Sequence, residues 1–309
     1  MSGEAERWAA EVGAHPFVLL GAMIALATTA LLVVAGVTTW AARRTRALWS
    51  AGERIWRWIE ARQIVRRLEA RSPALWRALR RLDPDEYLIL HALLGLTLTF
   101  AALLFVGLAE EIAEGAVLVR IDLSLAAALH QAASPEGLAA FRALTYFGGT
   151  PGLYFVSAVV TLVLLWRRRR LFTIGWLAAM LGVAVLNGLL KVVFARPRPW
   201  FAAPHELAGG FSFPSGHSMA TVVAAGMLAY FALTVVRSRT VRMGVLTAAV
   251  AWTVAMGFSR LYLGVHYLSD VIGGFAAGTV WLSACVSGLE IARRGSARRA
   301  EVEPSAQSA

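Results

Sequence analysis

The chain has 309 residues, 58% of them hydrophobic and 16% charged, with mean hydropathy +0.61, which places it in the membrane class and argues against a soluble two-domain protein. Its net charge of +11 would suggest nucleic acid in a soluble chain, but the arginines gather between apolar runs, where they set orientation, so no nucleic-acid partner is implied. The single cysteine, Cys285, excludes an intramolecular disulfide and a thiolate metal site.

The first apolar run, residues 17–42, holds 26 uncharged residues behind Glu4, Glu6, Arg7 and Glu11. It lacks the basic leader and short core of a cleaved signal and is expected to remain as a span. Residues 43–85 are basic and amphipathic, with Leu75, Leu79 and Leu82 at helical spacing beside Arg77, Arg80 and Arg81. A helix lying on the cytoplasmic leaflet is expected there. Six further runs, 87–109, 145–166, 171–190, 218–236, 243–258 and 271–289, reach or approach the roughly 20 residues needed to cross hydrocarbon. The run at 243–258 has only 16 residues and is expected to continue through Ser259 and Arg260.

Helices are the open-chain solution in lipid. The expected fold is therefore all-α: a polytopic transmembrane bundle with a six-helix core at 86–289, an added N-terminal span and basic segment at 1–85, and a disordered tail at 290–309. Residues 110–144 are too polar to span and are expected to form short helices on the outer surface, broken at the SPEG of 134–137, with His130 structural. Gly274 and Gly278 form a small-xxx-small pair suited to close packing inside the bundle.

Orientation follows from the basic residues. Segments 43–85, 167–170, 237–242 and 290–309 hold 12, 4, 3 and 4 of them, 23 in all, against 7 on the other side. The richer side is cytoplasmic by the positive-inside rule, so the N-terminus is expected outside. The groups at the ends of the later spans then face out.

Those groups lie in one stretch, 191–270, which reads KVVFARPRP, then FPSGH, then SRLYLGVHYLSD. Lys191 is the sole lysine among 30 basic residues, which suggests a site wanting a compact ammonium. Arg196 and Arg198 stand in a loop stiffened by Pro197 and Pro199. Ser215 and Gly216 precede a span, where a capping hydroxyl and free N–H groups favour an anion, and His217 adds a proton donor. His266 and Asp270, four apart, share a helix face; a carboxylate accepting from one imidazole nitrogen leaves the other unprotonated and aimed outward. Ionisable groups at membrane depth are functional by default.

These stretches together resemble the type 2 phosphatidic-acid phosphatase superfamily, the membrane lipid phosphate phosphatases. Lys191 with Arg198-Pro199, then Pro214-Ser215-Gly216-His217, then Ser259-Arg260 with His266 and Asp270, match its three motifs in order. The resemblance covers six spans and implies roles: His266 attacks phosphorus, Asp270 orients it, and His217 protonates the leaving alkoxide and later activates water. Lys191, Arg198, Ser215, Gly216 and Arg260 would hold the phosphoryl oxygens. The implied substrate is a phosphorylated lipid, met by a multi-pass protein of a bacterial inner membrane at its extracytoplasmic face.

No cofactor is expected. Between 171 and 289 the only carboxylates are Glu206 and Asp270, too few for a two-metal clamp, and the basic neighbours of His205, His217 and His266 oppose zinc. Phosphatidic acid, phosphatidylglycerol phosphate, undecaprenyl pyrophosphate and a lipid A phosphate offer the same terminal phosphoryl group. The rival readings are a lipid-phosphate transporter or scaffold of the same fold and a vanadate-dependent haloperoxidase-like enzyme. The intact His217, His266 and Asp270 argue against a scaffold.

Overall fold

The structure is a computed structural model describing residues 2–60, 86–114, 117–199 and 210–302. Its regular elements, among the described residues, are helices: α1 (Ser2–Gly13), α2 (Pro16–Glu60), α3 (Glu86–Glu114), α4 (Val117–Ala132), α5 (Pro135–Gly148), α6 (Thr150–Trp166), α7 (Arg170–Phe194), α8 (Gly216–Val235), α9 (Arg239–Tyr262) and α10 (Leu268–Val302). The chain divides into a compact unit at 29–96 and another comprising 1–28 and 97–309, which contains all the contacts considered below.

Among the described residues, seven segments are long and apolar enough to cross a membrane: Pro16–Val37, Gly95–Glu114, Pro135–Trp166, Arg170–Phe194, Gly216–Val235, Arg239–Tyr262 and Leu268–Arg293. Each overlaps one of the seven expected runs, the second reaching Glu114 where 109 was expected. The run at 243–258 does continue through Ser259 and Arg260, to Tyr262. The third begins earlier than expected, at Pro135, and is broken where Gly149 is extended and starts α6. The basic segment differs too. Residues 43–60 prolong the first span as the same helix α2, and 61–85 lie outside the described residues.

The glycines of α10 explain how the bundle closes around the later spans. A Cβ on Gly274 would stand 2.6 Å from the Ser215 carbonyl oxygen, and one on Gly278 2.8 Å from that of Met219. The small-xxx-small pair thus lets α10 pack backbone to backbone on α8. At the far end of these helices, Tyr230 Oη donates to Glu290 Oε1 (2.7 Å) and Arg293 donates to the same oxygen (2.6 Å). Beyond that contact α10 runs on to Val302, so the tail expected to be disordered is helical up to that residue, and 303–309 lie outside the described residues.

Of the stretch 110–144, expected to form short surface helices, 110–114 instead finish α3 and α5 falls within the third spanning segment, so α4 is the short helix that lies between two spans. Ser134 caps α5 by accepting from Gly137 N (3.0 Å), and its own N–H donates to Tyr262 Oη (3.0 Å). The sequence reading did not include α1. It docks on α4, where a Cβ on Gly13 would come within 2.7 Å of Ala128 Cβ and Glu6 pairs with Arg120 at 3.0 Å. Ala9, Leu125, Leu129, Phe141, Phe258 and Tyr262 form the buried cluster beneath.

Candidate active site

Four helix termini and one loop meet at one end of this bundle. The α7 helix stops at Ala195, whose left-handed backbone (φ 46°) caps it on the Lys191 carbonyl, leaving Lys191 in the last turn. From there the RPRP loop sends its two arginines to different partners. Arg198 donates to the Val265 carbonyl (3.1 Å) and to that of Gly210 (3.1 Å), and its guanidinium stands 3.4 Å from His266 Nε2. Arg196 turns inward and is 7% exposed. It donates to Asp270 Oδ1 (2.6 Å), Ser269 Oγ (2.7 Å) and Asp122 Oδ2 (2.9 Å), and it lies 4.5 Å above the Tyr267 ring.

The α8 terminus is built around a cap. Ser215 Oγ accepts from Ser218 N (3.4 Å) and from Ser218 Oγ (3.0 Å), while Ser215 N donates to the Asp270 carbonyl (2.9 Å). The Ser215 hydroxyl is fully buried in this duty, so what faces an anion here is the helix start itself. The first N–H groups, those of Gly216 and His217, have no carbonyl within the helix to bond. Asn187 on α7 backs Gly216, at 2.8 Å from where a Cβ would sit. His217 is half-buried beside the break between α5 and α6; a Cβ on Gly149 would approach its Nε2 to 2.8 Å.

Arg260 ends α9, 6% exposed, and donates to Thr145 Oγ1 at 2.7 Å. The chain then turns sharply through Gly264 (φ 67°), with the N–H groups of Val265 and His266 returning to the Arg260 carbonyl. Glycine suits that left-handed position. Asp270 closes the corner: its Oδ2 accepts from Tyr267 N (2.8 Å), the carboxylate half of a capping box at the start of α10, and also from Ser212 Oγ.

The expected hydrogen bond from His266 to Asp270 is not formed. Nδ1 stands 3.4 Å from Oδ2, an ion-pair distance, and has no partner in hydrogen-bond geometry, because Oδ2 is already committed to Tyr267 and Ser212. His266 is 2% exposed, and burial pushes its imidazole down to about 4 against the pull of Asp270. It is therefore neutral at pH 7, with Nε2 beside a guanidinium.

The structure thus brings together Lys191, Arg198, Ser215, Gly216, His217, Arg260, His266 and Asp270. Lys191 is within electrostatic reach of Arg198, Arg260, Asp270 and His217. Sequence reasoning missed Asp122, Ser212, Ser269, Thr145, Asn187 and Gly149. One signal was available for Asp122, the only carboxylate in the apolar run of α4. His205 and Glu206 lie outside the described residues, and among those described no three His, Cys, Asp or Glu side chains gather as a metal set.

The family model of the PAP2 superfamily matches residues 172–293. The chain is 33% identical over 150 residues to the decaprenylphosphoryl-5-phosphoribose phosphatase of Mycobacterium tuberculosis, which covers 47% of this chain and 76% of that protein. The chain belongs to the PAP2 superfamily. It is also 43% identical over 96 residues to phosphatidylglycerophosphatase B of Bacillus subtilis, 30% of this chain and 46% of that one, so it spans about half of that relative's length. The crystal structure of a transmembrane PAP2 type phosphatidylglycerolphosphate phosphatase from Bacillus subtilis superposes with a TM-score of 0.58 at 28% identity, covering 63% of this chain and 96% of that one. These relatives are named as phosphatases, and this PAP2 member has helices of spanning length like the transmembrane structure it superposes on. Asp122, Thr145 and Gly149 all lie outside the matched 172–293.

Proposed function

We propose that the protein removes the terminal phosphate from a lipid phosphate or lipid pyrophosphate through a phosphohistidine on His266. The observation that carries this reading is the setting of that imidazole. Neutral and buried, it has the Asp270 carboxylate 3.4 Å from Nδ1 and the Arg198 guanidinium 3.4 Å from Nε2. A phosphoryl group drawn to Arg198, Lys191, Arg260 and the α8 N-terminus would meet Nε2 as a nucleophile, with its charge held by fixed cations.

In the first step the Nε2 lone pair forms the N–P bond as the P–O bond to the lipid breaks, and His217 gives its proton to the departing alkoxide. In the second, water attacks phosphorus, His217 takes the water proton, and the N–P bond breaks to restore neutral His266. The catalytic unit is proposed as residues 86–289, working at the extracytoplasmic face. Support for that face comes from the 23-to-7 distribution of basic residues, and α1, which packs on the helix that carries Asp122, lies at the same end as the site. Retention of all three ionisable groups His217, His266 and Asp270 favours hydrolysis over transport or scaffolding.

Acid-quench trapping of labelled protein tests the assignment of roles. His266→Ala should form no phosphoenzyme with any substrate. His217→Ala should lose about 100-fold or more with an alkyl phosphate, but much less in the phosphorylation step with an activated aryl phosphate that departs unaided. A base-stable phosphoenzyme present in His266→Ala and absent in His217→Ala would reverse the two roles. In right-side-out vesicles, an impermeant aryl phosphate should be cleaved from outside; latency until the membrane is broken would refute the proposed face.

A further inference from the structure

Asp122 sits 1% exposed on α4, outside the part of the chain that the family model matches. It does not touch the imidazoles. Its Oδ1 accepts from Ser269 N (3.1 Å), and its Oδ2 accepts from Arg196 (2.9 Å) and from Ser269 Oγ. Arg196 in turn binds Asp270 Oδ1 at 2.6 Å, so one guanidinium bridges two carboxylates. Ser269 precedes Asp270 and is bonded by both Arg196 and Asp122, which fixes the first turn of α10 from two sides.

The charge balance gives this bridge a consequence. Asp270 has to serve His266 as an anion, yet a cation in direct contact with its other oxygen would drain that service if it stood alone. A second carboxylate on the same guanidinium takes up part of the charge. With His266 neutral, the two carboxylates share the one guanidinium and are otherwise satisfied by hydrogen bonds, from Ser269 to Asp122 and from Ser212 and Tyr267 to Asp270.

We propose that Asp122 is a positioning residue for the phosphoryl transfer: by sharing Arg196 with Asp270, it keeps that arginine from neutralising the carboxylate that serves His266. The inference rests on the phosphohistidine reading above. It makes α4, and α1 docked upon it, part of what shapes the reaction centre. The groups facing His266 are Asp270 from α10, Arg198 from the loop, Arg260 from α9 and His217 from α8. Asp122 and Arg196 act on it only through Asp270.

The test uses the full chain, purified, with a soluble aryl phosphate, and reads kcat, KM and the acid limb of kcat against pH. Asp122→Asn leaves Arg196 to Asp270 alone: kcat should fall about tenfold or more, on the scale seen for the partners that orient a metal-ligating histidine. KM should hardly change, and the acid limb should move to lower pH because His266 binds its proton less well. Arg196→Met should move the limb to higher pH, and the double variant should lose no more kcat than Arg196→Met alone, with its limb also on the high side. A purely structural tie would not give shifts of opposite sign. Should Asp122→Asn fail to fold, the double variant, in which Asp270 keeps its hydrogen bonds from Ser212 and Tyr267, carries the test. Unchanged kcat and limb in Asp122→Asn or in the double variant, shifts of one sign in both single variants, or additive losses would overturn the proposal. A wild-type protein that forms no phosphoenzyme overturns the reading beneath it instead.

Discussion

His266 shows how much one side chain depends on where it is buried. In water an imidazole is half protonated near neutrality, but this one is 2% exposed, among the guanidinium groups of Arg198 and Arg260, and is pushed down to about 4. The sign follows directly. The neutral, nucleophilic form persists as pH falls and is lost only as pH drops through about 4, so phosphoenzyme formation, corrected for substrate ionisation, should keep its rate at pH 5.5 to 6. A limb near the ordinary imidazole value would mean that water reaches the ring. The chemical identities of His266, Asp270, His217 and the cations were legible in the sequence because their spacing is local. The internal pairing of Arg196 was not, since Arg196 and Arg198 are chemically identical and only the fold decides which faces a carboxylate.

Among the elements, α8 and α10 carry the tightest requirement. They meet at Gly274 and Gly278, where backbone oxygens of α8 lie within 2.8 Å of any added Cβ, and the same seam holds Ser215 N on the Asp270 carbonyl. Gly278→Ala should therefore destabilise the protein by about 1–3 kcal/mol despite a gain in helix propensity, and should reduce activity by loosening that link. Gly244 in α9 has nothing within 4 Å of such a Cβ, and Gly244→Ala should be neutral or stabilising in the same thermal unfolding measurement. If Gly278→Ala matched it, the seam would be looser than described. The seven spans were legible since crossing hydrocarbon demands long apolar runs. The docking of α1 was not, because residues 2–13 are polar overall and their partner lies more than a hundred residues on; Arg120 and Glu6 are separated by 114 positions. The Asp122–Ser269 contact, 147 positions apart, escaped for the same reason: periodicity reports which face is apolar, not what it will meet.

Across the whole molecule, Lys191, Arg198, His217, Arg260, His266 and Asp270 stand at the end of a spanning segment or in the turn joining two of them, while large apolar side chains such as Leu181, Val185 and Leu189 stay exposed along the shafts. A phosphorylated amphiphile can present its head group there with its chains still in the bilayer. Encounter is then two-dimensional, and the quantity that sets the rate is the substrate's mole fraction in the surface. Inert detergent added to mixed micelles at constant bulk substrate should slow hydrolysis of the lipid and leave a water-soluble aryl phosphate unaffected. A lipid rate indifferent to that dilution would mean that the substrate arrives through water.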